Sequence, residues 1–223
     1  QLLLQHRPES ALVFCQTRND VRDVAAELVR RGFAALALHG DLEQRQREEA
    51  LLQLANRSCT VLVATDVAAR GLDIRELGAV ICFEPSQDPD SHQHRIGRTG
   101  RAGHRGLALT LCGPREQARI AALEARRERP VTWQALPFAT DQMSPAAPMA
   151  TLCIDGGRQD KLRPADLLGA LTGEVALPGD AIGKITIGPQ RAYVAVRRDL
   201  AATALRGLRN GRIKGRSFRV ARL

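Results

Sequence analysis

Thr60-Val61-Leu62-Val63-Ala64 is a five-residue apolar run with no polar alternation. A strand with one wet face alternates apolar and polar residues, whereas a strand buried on both faces does not. The run is therefore read as a central strand of a covered sheet. Similar runs lie on both sides of it. Ala11-Leu12-Val13-Phe14-Cys15 and Ala34-Ala35-Leu36-Ala37-Leu38 precede it; Ala79-Val80-Ile81-Cys82-Phe83 and Leu107-Ala108-Leu109-Thr110-Leu111 follow it. Between them stand helical stretches. Thr17 with Asp20 makes a capping-box start for a helix that runs to Arg31 and stops at Gly32. Leu42 to Ala55 is a second helix, and Pro114 to about Arg127 a third. Strand–helix alternation of this kind predicts a parallel sheet with helices on both faces.

The character changes between Pro137 and Pro148, where three prolines stand among Ser and Ala without periodicity. This predicts a linker over residues 137–148, between a domain at 1–136 and a second at 149–223. The second reads β-α-β-β-α-β: strands at 150–154, 182–187, 192–196 and 217–221, helices at 164–171 and 200–208. That order is the ferredoxin-like arrangement of RNA-recognition motifs. The expected fold class is thus an α/β parallel-sheet domain followed by a small α+β domain.

Charge separates the two parts. The chain of 223 residues has a net charge of +9. Residues 149–223 hold 14 Arg and Lys against 6 Asp and Glu, +8; residues 1–148 hold 19 against 18, +1. A compact basic module points to nucleic acid. No apolar run approaches the length of a membrane helix, so no membrane partner is expected. Five cysteines, none in a Cys-x-x-Cys pair, read as buried reduced thiols and suggest the cytoplasm. His92-x-His94 lacks further ligands, so no metal site is expected. The chain opens on Gln1 without Met, which suggests a fragment.

His94-Arg95-Ile96-Gly97-Arg98-Thr99-Gly100-Arg101 sets arginines three residues apart, with glycines that let backbone approach a ligand closely. Arginine's planar fork suits phosphate oxygens, and strand ends in such folds gather ligands. A phosphate site is the reading from residue chemistry alone, against the alternative of a solvated basic loop.

This segment closely resembles motif VI of the DEAD-box RNA helicases. Val13-Phe14-Cys15-Gln16-Thr17-Arg18 resembles motif IV. His39 to Arg47 contains the Gln-x-x-Arg pattern, and Val63-Ala64-Thr65-Asp66-Val67-Ala68-Ala69-Arg70-Gly71-Leu72-Asp73 resembles motif V. The resemblance implies a second RecA-like helicase domain. It implies that Gln44, Arg47, Thr65, Arg70 and Gly71 line single-stranded RNA, mostly along its backbone. It implies that Asp73 binds the nucleotide ribose. Arg98 and Arg101 would reach the γ-phosphate of ATP, and His94 and Arg95 would link that site to neighbouring motifs. Without the family, Gln44 and Arg47 read as a solvated helix face, Thr65 as a helix cap and Asp73 as a cap or turn carboxylate. Family members often carry Tyr where His92 stands. No Gly-x-x-x-x-Gly-Lys-Ser/Thr loop and no Asp-Glu-Ala-Asp stretch occurs in the 223 residues. The family places both, and with them the Mg²⁺, on a preceding RecA-like domain, so the resemblance implies half of a catalytic cleft, inactive alone.

Ala150 to Gly157, Lys161 to Pro164, Leu168 to Gly173, Ile182 to Ile185 and Gly211 to Gly215 resemble the DbpA-type RNA-binding tail of bacterial DEAD-box helicases. This implies an RNA helicase of ribosome assembly, working on the pre-50S particle, whose tail binds a hairpin of 23S ribosomal RNA. Stacking aromatics are scarce: Cys153 and Ala195 stand where they are expected, and only Tyr193 remains. Charge must then carry the binding, with Arg158, Lys161, Arg163, Lys184, Arg197, Arg198, Arg212, Lys214, Arg216 and Arg219 as candidates. Two other functions stay open: a non-catalytic RNA chaperone that uses the first domain as scaffold, and a DNA helicase of the same superfamily.

Overall fold

The computed structural model describes residues 1–70, 77–100, 106–125, 131–136, 138 and 142–223. The chain divides into two compact units, Gln1–Leu54 with Cys59–Ala146 and Ala55–Ser58 with Ala147–Leu223.

The first unit runs α1 (Leu2–His6), β1 (Ala11–Cys15), α2 (Arg18–Arg30), β2 (Ala35–Leu38), α3 (Gln44–Ala55), β3 (Val61–Thr65), α4 (Asp66–Ala69), β4 (Ala79–Cys82), α5 (Pro89–Ile96), β5 (Leu107–Thr110) and α6 (Gln117–Glu124). Its five strands pair in the order β2-β3-β1-β4-β5, and every pairing is parallel. Successive side chains of a strand point to opposite faces. Here both faces are buried: Val13, Val63 and Ile81 join one core with Val21 of α2, while Leu12, Leu62 and Val80 join another with Leu54 of α3. This is the covered parallel sheet that the apolar runs predict, and its fold class is the RecA-like one that the family resemblance implies. The capping box of α2 forms as read, Asp20 N donating to Thr17 Oγ1 at 3.1 Å and Thr17 N to the Asp20 carboxylate at 3.2 Å. Gly32 follows the helix with φ +86°, a conformation that only glycine adopts without strain.

Some boundaries move. The second helix starts at Gln44 rather than Leu42. The 114–127 helix begins as a 3₁₀ turn at Pro114–Glu116, and its last expected residues lie outside the described ones. Helices α1, α4 and α5 lie where no helix is expected.

The second unit runs β6 (Met149–Ile154), α7 (Pro164–Gly169), β7 (Ile182–Ile187), β8 (Ala192–Arg197), α8 (Ala201–Asn210) and β9 (Val220–Arg222). Its sheet is antiparallel with order β7-β8-β6-β9. Numbered within the unit this is 2-3-1-4, the ferredoxin-like order. Leu152 and Ile154 of β6 and Val194 and Val196 of β8 face a core completed by Leu167, Leu171 and Leu208. Alternation sends Cys153, Tyr193 and Ala195 to the other face, and Cys153 and Tyr193 are register partners. α7 widens after Gly169 into a π turn over Ala170–Glu174. The last strand starts three residues later than expected, because Phe218 packs against Gly156 instead of joining the ladder.

Candidate functional site

The carboxyl ends of β1, β3 and β4 lie side by side, with Cys15 in register with Thr65 and Phe14 with Cys82. Thr65 ends β3 and caps α4, its Oγ1 accepting from Ala68 N at 3.3 Å. Asp66 is the next residue. Its carboxylate takes a two-pronged grip from Arg95 of α5: Nε donates to Oδ1 and Nη2 to Oδ2, both at 2.7 Å. Arg95 Nη1 donates to Glu84 O at 3.3 Å, and its guanidinium lies 5.3 Å from the ring centre of Phe14. Arg95 is only 2% exposed. Burial is the largest single influence and would lower its pKa, but the hydrogen bonds it donates to Asp66, the Asp66 charge and the neighbouring Cys82 together outweigh burial and hold the guanidinium above its ordinary value.

This ion pair fixes the turn that follows. α5 starts on Asp88, which accepts from Ser91 N at 2.8 Å, with Pro89 in the first turn. It ends at Gly97, where an added Cβ would stand 3.1 Å from Gln93 O. Arg98 N and Thr99 N close a tighter turn onto Arg95 O and Ile96 O, both at 3.2 Å, and Gly100 takes φ +68°. Thr99 Oγ1 donates to Leu77 O. A shallow pocket results, lined by Phe14, Asp66, Arg70, His94, Arg95 and Arg98. Arg70 and His94 are exposed and Arg98 half-buried. Three cationic or titratable groups, Arg70, His94 and Arg98, thus border one opening beside the buried pair. That arrangement suits an anion. Arg95 has a positioning task within it. The thiols nearby are inert: burial pushes Cys15 up to about 12, with Asp20 and Glu84 adding to the effect, and burial also raises Cys82 despite Arg95 beside it.

The β2–α3 loop brings a second group. Arg47 of α3 donates to Ala68 O of α4 at 3.4 Å, so the Gln-x-x-Arg segment and the Thr65–Arg70 segment adjoin. Gln44 is exposed and donates to Glu48 at 2.9 Å. The loop is tied to α2 by Asp41, which accepts from Arg18 and, at 2.6 Å, from Arg22. His39 is 6% exposed, with Nδ1 3.9 Å from Asp41. Burial and the charge of Arg22 lower its pKa below the ordinary 6.5, Asp41 notwithstanding. Gly71, Asp73 and Arg101 lie outside the described residues. Among the described residues no cluster of His, Cys, Asp or Glu could hold a metal ion.

In the second unit several basic candidates meet at one loop and the others lie apart from it. Arg158, Lys161 and Arg163 occupy the β6–α7 loop, and Lys214 and Arg216 meet them there: Lys214 Nζ donates to Lys161 O at 2.9 Å and Arg216 Nη2 to Asp160 Oδ1 at 3.2 Å. Arg158 itself donates to Ile187 O at 3.0 Å. Lys184 is exposed on β7, Tyr193 half-buried on β8, and Arg197 at the end of β8 pairs with Asp199 at 2.8 Å. Arg198, Arg212 and Arg219 are half-buried, exposed and exposed.

Both units resemble known proteins. Residues 1–103 match the model of the helicase conserved C-terminal domain, and residues 151–222 that of the DbpA RNA-binding domain. Escherichia coli K12 ATP-dependent RNA helicase DbpA is 50% identical over 220 residues, 99% of this chain and 48% of that protein. The chain belongs to the DEAD-box helicase family. It corresponds to the C-terminal RecA-like domain and a DbpA-type tail, and it spans about half of the E. coli protein's length. Bacillus subtilis DEAD-box ATP-dependent RNA helicase CshA is 48% identical over 129 residues, 58% of this chain and 26% of that protein. Among solved structures, E. coli DEAD-box protein SrmB bound to the regulator RraA superposes with TM-score 0.58 at 35% identity, covering 60% of this chain and 79% of that one. A DEAD-box protein of Methanococcus jannaschii gives 0.52 at 40% identity, over 56% and 35%.

Sequence reasoning missed Asp66, Phe14, Asp160 and Phe218. Asp66 stood inside a quoted motif, directly after Thr65, yet its partner is 29 residues away. Replacing Asp66 by Asn strands a buried guanidinium. Breaking a fully buried pair costs about 3–5 kcal/mol, and the 28% exposure of Asp66 places this case at or below the lower end. Hydrogen exchange of the β1, β3 and β4 amides should show that loss in the first unit and none in β6 to β9.

His39 gives a pH signature. Its folded pKa is depressed, so the unfolded chain binds more protons as pH falls past 6.5, and stability drops until the folded value is passed. Denaturation midpoints taken from about pH 7 to about pH 5 should fall less steeply for His39→Asn than for the wild type.

Proposed function

We propose that this chain is the C-terminal part of an ATP-dependent RNA helicase that remodels large-subunit ribosomal RNA during ribosome assembly, its tail targeting a 23S rRNA hairpin. The domains divide as 1–136, a linker at 137–148, and 149–223. The observation that carries the reading is the turn at Arg98, held on the Asp66–Arg95 pair at the strand ends beside Arg70. A scaffold for an RNA chaperone needs no such turn, which favours the enzymatic reading.

Arg98 and Arg101 would act from across the cleft on ATP held by the N-terminal RecA-like domain, which also carries the Mg²⁺. Arginines so placed lower the barrier to phosphoryl transfer by about 10³–10⁵ in rate. Asp73 would bind the ribose. Gln44, Arg47, Thr65, Arg70 and Gly71 would hold RNA by its backbone. Thr65 Oγ1 caps α4, so its share falls to the oxygen's remaining donor capacity. The tail, with +8 over residues 149–223, would select the RNA. The pre-50S particle and a cytoplasmic location follow from that substrate.

Residues 1–223 titrated with the 23S hairpin and with an unrelated hairpin of equal length test the targeting. Affinity for the ribosomal hairpin should be higher at every salt concentration, and both should weaken as salt rises. Equal affinity throughout would leave only a nonspecific basic module.

A further inference from the structure

The second unit carries a small stacked device that charge alone does not require. Ile213 and Arg216 form an antiparallel bridge, with N···O distances of 2.8 and 3.1 Å. Between them Lys214 and Gly215 have φ of +54° and +75°. Two positive φ values in succession define the tight hairpin turn that matches strand twist. A lysine in that conformation is uncommon, and such residues persist where the surroundings hold them. Here they do: Lys214 Nζ bonds Lys161 O, and Lys161 itself takes φ +59°.

The turn delivers Arg216 onto Phe218, with the guanidinium carbon 5.3 Å from the ring centre. Asp160 pins the guanidinium from the side through Oδ1 at 3.2 Å and its carbonyl at 3.4 Å. The other carboxylate oxygen of Asp160 accepts from Gly157 N at 3.1 Å, so it is itself fixed. The ring is backed by Gly156, where an added Cβ would stand 2.4 Å from it. The guanidinium thus lies over the Phe218 ring with two of its nitrogens held by Asp160, yet the Arg216 side chain remains 59% exposed.

We propose that the Arg216–Phe218 stack is a base-stacking site: an unpaired RNA base lies on the outer face of the Arg216 guanidinium. The proposal rests on the reading that the tail binds RNA. Guanidinium planes are weakly hydrated and stack bases in RNA recognition. Asp160 offsets much of the charge that would attract a phosphate and leaves the flat surface. The pinned side chain has little rotamer freedom left to lose on binding. The device also answers the composition of the sheet, where Cys153 and Ala195 lie on the face that would otherwise carry aromatics. Arg216 thereby becomes a group that distinguishes bases from backbone, and not one more interchangeable charge.

Arg216→Lys keeps the charge and removes the plane. Residues 1–223, wild type and variant, are titrated with a fluorescent RNA hairpin bearing a single-stranded adenosine flank, and with the same hairpin whose flank is abasic. Arg216→Lys should lose about 10-fold on the adenosine flank and no more than about 2-fold on the abasic one, within what one stacked base contributes. Phe218→Leu, which keeps every charge, should lose on the same RNA alone. Equal losses of Arg216→Lys on both RNAs, or none on either, overturn the stacking site while leaving RNA binding intact. A wild type that binds neither RNA overturns the RNA-binding reading and the stacking site with it.

Discussion

The grip of Asp66 on Arg95 is the contact on which the first unit's site depends. A guanidinium that is 2% exposed tolerates burial only when its donors are satisfied, and here Asp66, the Glu84 carbonyl and the Phe14 ring supply the partners. Three strand ends are involved, since Phe14 belongs to β1, Asp66 follows β3 and Glu84 lies just past β4. The parallel register puts those ends together, and the apolar faces on both sides of the sheet hold the register. Core packing is therefore what places Arg98: the sheet sets Asp66, Asp66 sets Arg95, and Arg95 sets the turn one helical step later.

The second unit solves a related problem with less material. Its strands are packed on one face by Leu152, Ile154, Val194 and Val196, which leaves its loops to present polar groups. Charges there are tied down by neighbours. Arg158 holds the Ile187 carbonyl, Lys214 the Lys161 carbonyl, and Arg216 is pinned by Asp160. A basic module made only of free lysines and arginines would attract any polyanion. Ordered guanidinium and ammonium groups at defined positions give the loops a shape as well as a charge, and shape is what structured RNA offers to be read.

Much of this was legible in the sequence, and the exceptions have physical causes. β1, β3 and β4 were readable because a strand buried on both faces is apolar throughout. α2 was readable from Thr17, Asp20 and Gly32. α5 was not, because its buried positions are His92 and Arg95, polar residues that leave no hydrophobic period. Its only local signals were Asp88 as a cap and Pro89 behind it. The last strand slipped because Ser217 to Ala221 reads as extended, while the decisive contact, Phe218 on Gly156, joins residues far apart in the chain. His94, Arg95 and Arg98 stood out as candidates from residue chemistry, spacing and family resemblance, and Arg70 from the resemblance alone. Their division into an exposed set and a buried one was not, since it depends on Asp66 and Phe14 across the sheet.

The central claim is that the Asp66–Arg95 pair presents Arg98 to the phosphate of a nucleotide held by another domain. RNA-stimulated ATP turnover of the complete protein, with Arg98→Ala beside the wild type, addresses it most directly. The account expects turnover to fall by about 10³ or more while the affinity of the tail for RNA is unchanged. Turnover within a few-fold of wild type would contradict it.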